Sequence, residues 1–317
     1  MPLPDEYLHY AWRRHGMDHD RYDWTMQPKR KPVAWPGGAR IALWVVPALE
    51  FFPLDQPAQP FKAPGGMVTP YPDLRHYTLR DYGNRVGVFR VFRVLDRLGI
   101  KASVAVNSKV AERYPFLIEE VNRRGWEIIA YGVDMGRLHY GGLPVADETA
   151  QIDEAVGGLR RVSGQPITGW LSPAKSESMN TLDLIAAAGI AYVCDWVNDE
   201  LPFPMRTHEG ELYSLPLSHE ISDQTIIAQY QHSEQDFLDQ VRDQFDVLYR
   251  EATAADGRMM TVTIHPWMSG QPHRIGFLEK ALRHIIDHDG VWSASGAEIL
   301  AAFKAQRSGR GPAGGSV

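Results

Sequence analysis

A single cysteine, Cys194, in 317 residues leaves no partner for an internal disulfide and no thiolate set for a zinc cluster, and it suits a reducing compartment. The simplest role for that lone thiol is a small buried hydrophobe. Charge of one sign is also scarce. Thirty-three Lys and Arg stand against 39 Asp and Glu, a net of −6, with no basic run that would track phosphates, so nucleic acid is not an expected partner. Long apolar runs are missing too. Even 41–52 is interrupted by Pro47 and Glu50, well short of the roughly 20 apolar residues that span a bilayer. The charged opening MPLPDEYLHYAWRRHG lacks the apolar segment of a secretory signal. The expectation is a cytoplasmic protein with no membrane partner.

What the chain does have is core-forming material, 44% hydrophobic residues, enough for one large α/β domain. Residues 1–35, rich in His, Arg, Tyr and Trp without periodicity, read as an arm that wraps the domain or a neighbouring subunit. His9, His15 and His19 cluster there at irregular spacing, which favours a solvated arm over a metal site. After Pro36-Gly37-Gly38, ARIALWVVPALEFF is a buried strand that ends at Glu50. A Pro/Gly/Tyr-rich loop over 53–77 is of a length usually functional or disordered.

From there strand and helix alternate. VGVFRVFRVLDRLG predicts a helix closed by Gly99, followed by a strand at KASVAVN and a helix over 109–125. WEIIAYG is a strand, DETAQIDEAVGGLRRVSG a helix, ITGWLSP a strand, and NTLDLIAAAGI a helix with Asn180 as its N-cap. AYVCDW, a polar loop, LYSLPLS, a helix over 234–254, the strand MMTVTIHP, a helix and VWSAS with a last helix complete the chain. About seven such units predict an α/β fold, a parallel barrel over 36–305, with catalytic residues at the carboxyl ends of strands. Glu50, Tyr131, Ser172, Asp195 and His265 all fall at such ends, and 306–317 reads as a disordered tail.

The segments RDYGNRVG (80–87), GWEIIAYG, GWLSP (169–173), DWVNDELPF (195–203) and IHPWMSGQPHR (264–274) resemble the polysaccharide deacetylase, or NodB-homology, family. Within it they are most similar to the branch that holds metal-independent allantoinase and cyclic-imide hydrolases. The resemblance implies a distorted (β/α) barrel, a small-molecule substrate and a homo-oligomer. In the metal-dependent deacetylases the first motif supplies two adjacent Asp residues, a base and a metal ligand, where this chain has Glu50-Phe51. The second supplies two His ligands, and the matching positions are Tyr131 and Met135. The resemblance therefore implies a retained base without its ligand set, and no metal cofactor, because Phe, Tyr and Met offer little to a zinc-like ion.

Each candidate has a functional and an ordinary reading. Glu50, after an apolar strand, needs either a function as general base or an ion pair with Arg85 or Arg90. His265 matches the family histidine that protonates the leaving group; otherwise it donates to a backbone carbonyl. Asp195 and Asp199 orient His265 from behind or cap the polar loop. Tyr131 donates to a substrate carbonyl or packs, Ser172 and its neighbouring backbone contact an oxyanion, and Arg85 joins the substrate-binding set. Trp170, Trp196 and Trp267 wall the pocket, His273-Arg274 binds a carboxylate or braces its loop, and His139, His208, His219 and His232 are surface or loop histidines. With Glu50 and His265 as the acid–base pair, the resemblance implies hydrolysis of a C–N bond in a cyclic imide, hydantoin or ureide. The alternatives are a metal-dependent deacetylase with a rebuilt site, a non-catalytic barrel, and an isomerase or carbon–carbon hydrolase built on the same pair.

Overall fold

The computed structural model describes residues 19–54 and 74–307. The predicted arm before residue 19, most of the predicted 53–77 loop and the tail from 308 lie outside the described residues. So do His9 and His15.

One curled, open sheet carries the fold. Its strands are β1 (Ile41–Leu49), β2 (Ser103–Val106), β3 (Glu127–Ala130), β4 (Gly169–Trp170), β5 (Tyr192–Val193), β6 (Phe203–Met205), β7 (Leu212–Ser214), β8 (Arg258–Ile264) and β9 (Val291–Ser293). Their order is β6-β7-β5-β4-β3-β2-β1-β8, with β9 beside the start of β1. All neighbours are parallel except β6 and β7. The architecture is the expected (β/α) barrel, left open between β6 and β8, with nine strands instead of about seven. The extra β6 lies at the end of DWVNDELPF, which reads as a loop because its polar residues hide a three-residue strand.

Parity along the strands sorts the core into two layers, since successive side chains point to opposite faces. Ile41, Leu43, Val45 and Leu49 of β1 pack under the helices, with Met260, Val262 and Ile264 of β8. Ala42, Trp44, Val46 and Ala48 fill the concave side with Met259, Ile129 and Tyr131. Continuing that alternation places Glu50 and His265 on the concave face. The β1–β8 register, Pro47 opposite Ile264, puts the two strand ends side by side.

The helices follow from amphipathic stretches. Helix α1 (Leu74–Tyr82) runs through a π-helical turn (Gly83–Gly87) into α2 (Val88–Leu98), which ends on Gly99 at φ 63°. The helix expected over 109–125 is two, α3 (Ser108–Arg113) and α4 (Pro115–Arg123), broken at Tyr114 (φ −131°, ψ 60°) because a residue before proline resists helical geometry. Helix α5 (Val145–Ser163) is followed by α6 (Thr181–Ala187). Asn180 does not cap α6 with its side chain: it is already helical (φ −99°, ψ −18°), and its own N–H is held by Ser178 Oγ. Helix α7 (Glu234–Glu251) opens on a capping box at Ser233. The short α8 (Pro266–Ser269), α9 (Ile275–Ile286) and α10 (Gly296–Arg307) complete the set. In the described part of the arm, buried Arg21 is bound to Asp183 of the same chain (2.9 Å).

Candidate active site

Two motif segments distant in sequence lock together to form one wall of the site. The π-helical turn 83–87 packs on α8, and three glycines make the contact possible. A Cβ on Gly87 would lie 2.0 Å from the Pro266 carbonyl oxygen, one on Gly83 would lie 2.7 Å from the Trp267 nitrogen, and one on Gly270 would lie 2.4 Å from Gly87 Cα. Asn84 of the same turn donates to the Glu50 carbonyl oxygen at 2.8 Å. The RDYGNRVG motif thus fixes the backbone of Glu50 and the turn that follows His265.

Glu50 is almost fully buried (4% exposed). Its Oε2 accepts from Trp267 Nε1 at 2.9 Å and its Oε1 from the Tyr131 hydroxyl at 3.4 Å. His265 Nε2 stands 3.8 Å from Oε1, beyond direct hydrogen-bond reach. Neither proposed ion-pair partner reaches Glu50. Arg85 is exposed and sits 3.8 Å from Asp81, while Arg90 donates to Tyr82 and to the Gly270 carbonyl. Arg85 is likewise removed from the substrate-binding set by its place on the solvent side of the turn. The cation that does stand near is Arg80, buried with its guanidinium over Phe52 (4.4 Å) and Trp267 (5.0 Å).

The residue that orients His265 is Asp223. It accepts from His265 Nδ1 at 2.7 Å and from the His265 backbone N–H at 2.9 Å, and its Oδ2 takes the Ser269 hydroxyl at 2.6 Å. This arrangement fixes the ring and leaves Nε2 facing Glu50. Burial opposes the charged imidazole, but the charges of Asp223 and Glu50 outweigh it, so the pKa of His265 is raised from its ordinary value. Asp195 and Asp199 are elsewhere. Asp195 accepts the Ser172 backbone N–H at 2.9 Å and faces Glu177; burial raises both of these carboxyls. Asp199 caps Glu200 and Leu201 and pairs with Arg30 at 2.5 Å, which is the loop-capping reading. Asp223 was invisible in the sequence because it lies 42 residues from His265, before a short π-helix (Gln224–Gln229), with no motif around it.

Tyr131 is buried, and burial foremost, then the charges of Glu50 and Asp195, hold its phenol pKa well up, so it is a neutral donor. Ser172 is turned inward instead of toward an oxyanion: it is fully buried, its N–H and its hydroxyl both serve Asp195, and its Oγ accepts from Trp170 Nε1 at 2.8 Å. Trp170 is wholly buried in the helix-side core, not in a pocket wall. Trp196 lines a separate depression with Lys175 and Glu177 and stacks edge-on with His19 and Tyr22. Trp267 holds Glu50. Arg274 braces its loop through Glu234 at 2.8 Å, with His273 3.8 Å from the same carboxylate. His208 and His232 are exposed, but His139 is buried and bound to Glu148 at 3.2 Å. Its environment is polar but enclosed, which irregular sequence does not reveal.

A cavity of about 210 Å³ opens on His265 and Tyr131, with Lys175, His219, Thr263 and Gln224 among the described residues of its wall. Lys175 and His219 carried no motif signal. Glu50 does not line this cavity; it meets it through His265 and Tyr131. For a metal of the deacetylase kind the donor set does not fit. Phe51 packs under Arg113 (4.6 Å), Met135 is buried in the concave core, and Tyr131 is a neutral phenol. Among the described residues, the one group of His, Cys, Asp and Glu close enough to chelate is Asp246, His284 and His288, on and beside α7 and α9, away from the strand ends.

Residues 77–193 match the sequence profile of the polysaccharide deacetylase family. A Schizosaccharomyces pombe protein named for that family is 25% identical over 309 residues, covering 87% of this chain and 95% of that one. Among solved structures, one from Pseudomonas aeruginosa assigned to polysaccharide deacetylases is 26% identical, covers 87% of this chain and 94% of its own, and superposes with a TM-score of 0.77. PuuE allantoinase shares the fold at a TM-score of 0.78 and 24% identity, covering 90% of this chain and 98% of its own.

Proposed function

From the premise that the chain belongs to the polysaccharide deacetylase, or NodB-homology, family, we propose that it hydrolyses a carbon–nitrogen bond in a small cyclic imide, hydantoin or ureide, without a metal. The observation that carries this reading is the buried pair of Glu50 Oε1 and His265 Nε2, 3.8 Å apart, with Asp223 behind the imidazole. A water about 2.8 Å from both atoms subtends an angle of about 85° at its oxygen, which ordinary hydrogen-bond geometry accepts.

In this mechanism Glu50 takes a proton from that water as its oxygen adds to the carbonyl carbon. Tyr131 gives up its long bond to Glu50 Oε1 (3.4 Å) and donates its one O–H to the developing oxyanion. The C–N bond then breaks as His265 delivers its proton to the departing nitrogen, and the proton held by Glu50 returns to His265. The raised pKa of His265 suits the acid role, because it favours the protonated imidazole. An imide nitrogen leaves with its charge spread into the second carbonyl, so a Lewis acid is less needed than for a simple acetamide. The cavity of about 210 Å³ lies below the roughly 300–1,000 Å³ of drug-sized sites and suits a single ring better than a glycan chain.

The test is a hydrolysis screen of allantoin, hydantoins, succinimide, maleimide, glutarimide and phthalimide, followed by ring opening, with and without chelator. Turnover that survives chelation is the expected result. No turnover on any ring, or turnover that chelation abolishes, overturns the reading.

A further inference from the structure

The cavity beside His265 contains two polar groups that the reaction as derived does not use. The first is Lys175. Its chain enters through a turn (Pro173–Lys175) in which Ala174 and Lys175 both hold left-handed backbone angles, φ 58° and 52°, a conformation that side chains with a Cβ adopt only when their surroundings impose it. The surroundings are explicit. Gly132, at φ 61°, lets the Pro173 ring approach so closely that a Cβ there would lie 2.5 Å from Pro173 Cγ. Asp195 holds the Ser172 N–H, and Ser176 Oγ donates to the His139 carbonyl at 2.5 Å. The result is a lysine folded inward onto the cavity wall. Its ammonium donates to the Leu217 carbonyl oxygen at 2.6 Å, one hydrogen-bond partner among the described residues for a group with three donors. Burial is the main cause that lowers its pKa, to about 8, with the charge of Asp195 opposing.

The second group is Thr263, two residues before His265 on β8 and on the same concave face. Its hydroxyl oxygen is buried, the residue is 7% exposed, and it has no hydrogen-bond partner among the described residues although it lines the cavity. A buried hydroxyl without a partner is costly, and it marks a place where a ligand can complete the bonding.

We propose that Lys175 and Thr263 form an oxygen-accepting subsite on the His265 cavity that takes the second carbonyl of a small dicarbonyl ring. This rests on the cyclic-amide reading above and narrows it: the preferred substrates carry a second carbonyl on the ring nitrogen that leaves. Lys175 is a specificity residue in this scheme. It donates to the carbonyl oxygen into which the departing nitrogen spreads its charge, and a ring lacking that oxygen leaves the Thr263 hydroxyl buried and unsatisfied and the half-buried ammonium with only the Leu217 carbonyl, the situation in which a site rejects an analogue most strongly.

Binding, not turnover, tests this, so that it stands apart from the hydrolytic reading. Dissociation constants of succinimide and 2-pyrrolidinone, and of glutarimide and 2-piperidone, are measured by ligand-observed NMR on the full chain. The wild type is expected to prefer each dicarbonyl ring about tenfold or more. Lys175→Met is expected to bring that ratio to within about twofold, and Thr263→Val, which keeps the side chain's size, to lower it part of the way, with melting curves confirming that both variants fold. A wild type without the preference, or a Lys175→Met variant that keeps it, overturns the subsite. A clear Lys175-dependent preference with no ring opening refutes only the hydrolytic reading. Ring opening without the preference refutes only the subsite.

Discussion

Asp223→Asn is the most searching perturbation of the site, because it changes charge and hydrogen bonding while barely changing shape. In the native site Asp223 accepts at 2.7 Å from His265 Nδ1, at 2.9 Å from the His265 N–H and at 2.6 Å from Ser269. An asparagine has one oxygen for these three donors, and its NH2 faces at least one of them as a second donor. Two consequences follow. The ring loses the partner that keeps its proton on Nδ1, so Nε2 no longer faces Glu50 in a fixed state. The imidazolium also loses a unit negative charge, an attraction of about 6 kcal/mol at 2.7 Å with an effective dielectric near 20, partly offset by the cost of desolvating the pair. Burial, the largest single influence on His265, already pushes its pKa down, and without Asp223 only Glu50 opposes it. The His265 pKa should therefore fall, and kcat should drop by about 10³- to 10⁴-fold, the scale seen when a catalytic imidazole loses its carboxylate.

The assay is a kcat/KM profile against pH with an NMR titration of the His265 ring. In the wild type, activity falls on the alkaline side as His265 loses its proton. In the same range the fold loses the stabilisation of the raised pKa, which is complete below the unfolded-state pKa and lost as pH rises through the folded one. The variant should move that limb to lower pH. Full activity with an unmoved alkaline limb would refute the role given to Asp223.

Glu50→Gln should lower turnover by about 10²- to 10⁴-fold with an unchanged melting curve, and near-normal kcat would remove Glu50 as the base. Gly87→Ala forces a methyl group to within 2.0 Å of the Pro266 carbonyl oxygen. It should destabilise the fold by about 3 kcal/mol or more in urea unfolding, and an unchanged midpoint would mean that the interlock of the two motif segments is looser than drawn. Exhaustive dialysis against a chelator, with metal content then measured by elemental analysis, should leave activity intact; loss of activity with recovery on adding zinc or cobalt would return the site to metal chemistry.

Much of this architecture was legible in the chain. Helix α2 announces itself through its apolar spacing and Gly99, and β1 and β8 through continuous apolar and β-branched runs that survive burial on both faces. Period-two alternation alone puts Glu50 and His265 at strand ends on the concave face. The short strands β4 and β5 fall inside ITGWLSP and AYVCDW, both read as strands, although only two residues of each pair in the sheet, whereas β6 lies in a segment whose polar residues suggest only a loop.

For the site, local sequence determined which residues could do acid–base work and that the usual metal ligands are replaced, because residue type and strand position are properties of the chain itself. Tertiary structure decided the company those residues keep. It chose Asp223 over Asp195 and Asp199 as the partner of His265, turned Arg85 to solvent, took Ser172 and Trp170 out of reach of a substrate, and folded Lys175 and Thr263 into the cavity. The physical reason is that hydrogen-bond partners and electrostatic environment depend on separations of a few ångströms between segments tens of residues apart. No local pattern encodes those separations, and here they are set by strand register and by the close glycine contacts between the 83–87 turn and α8.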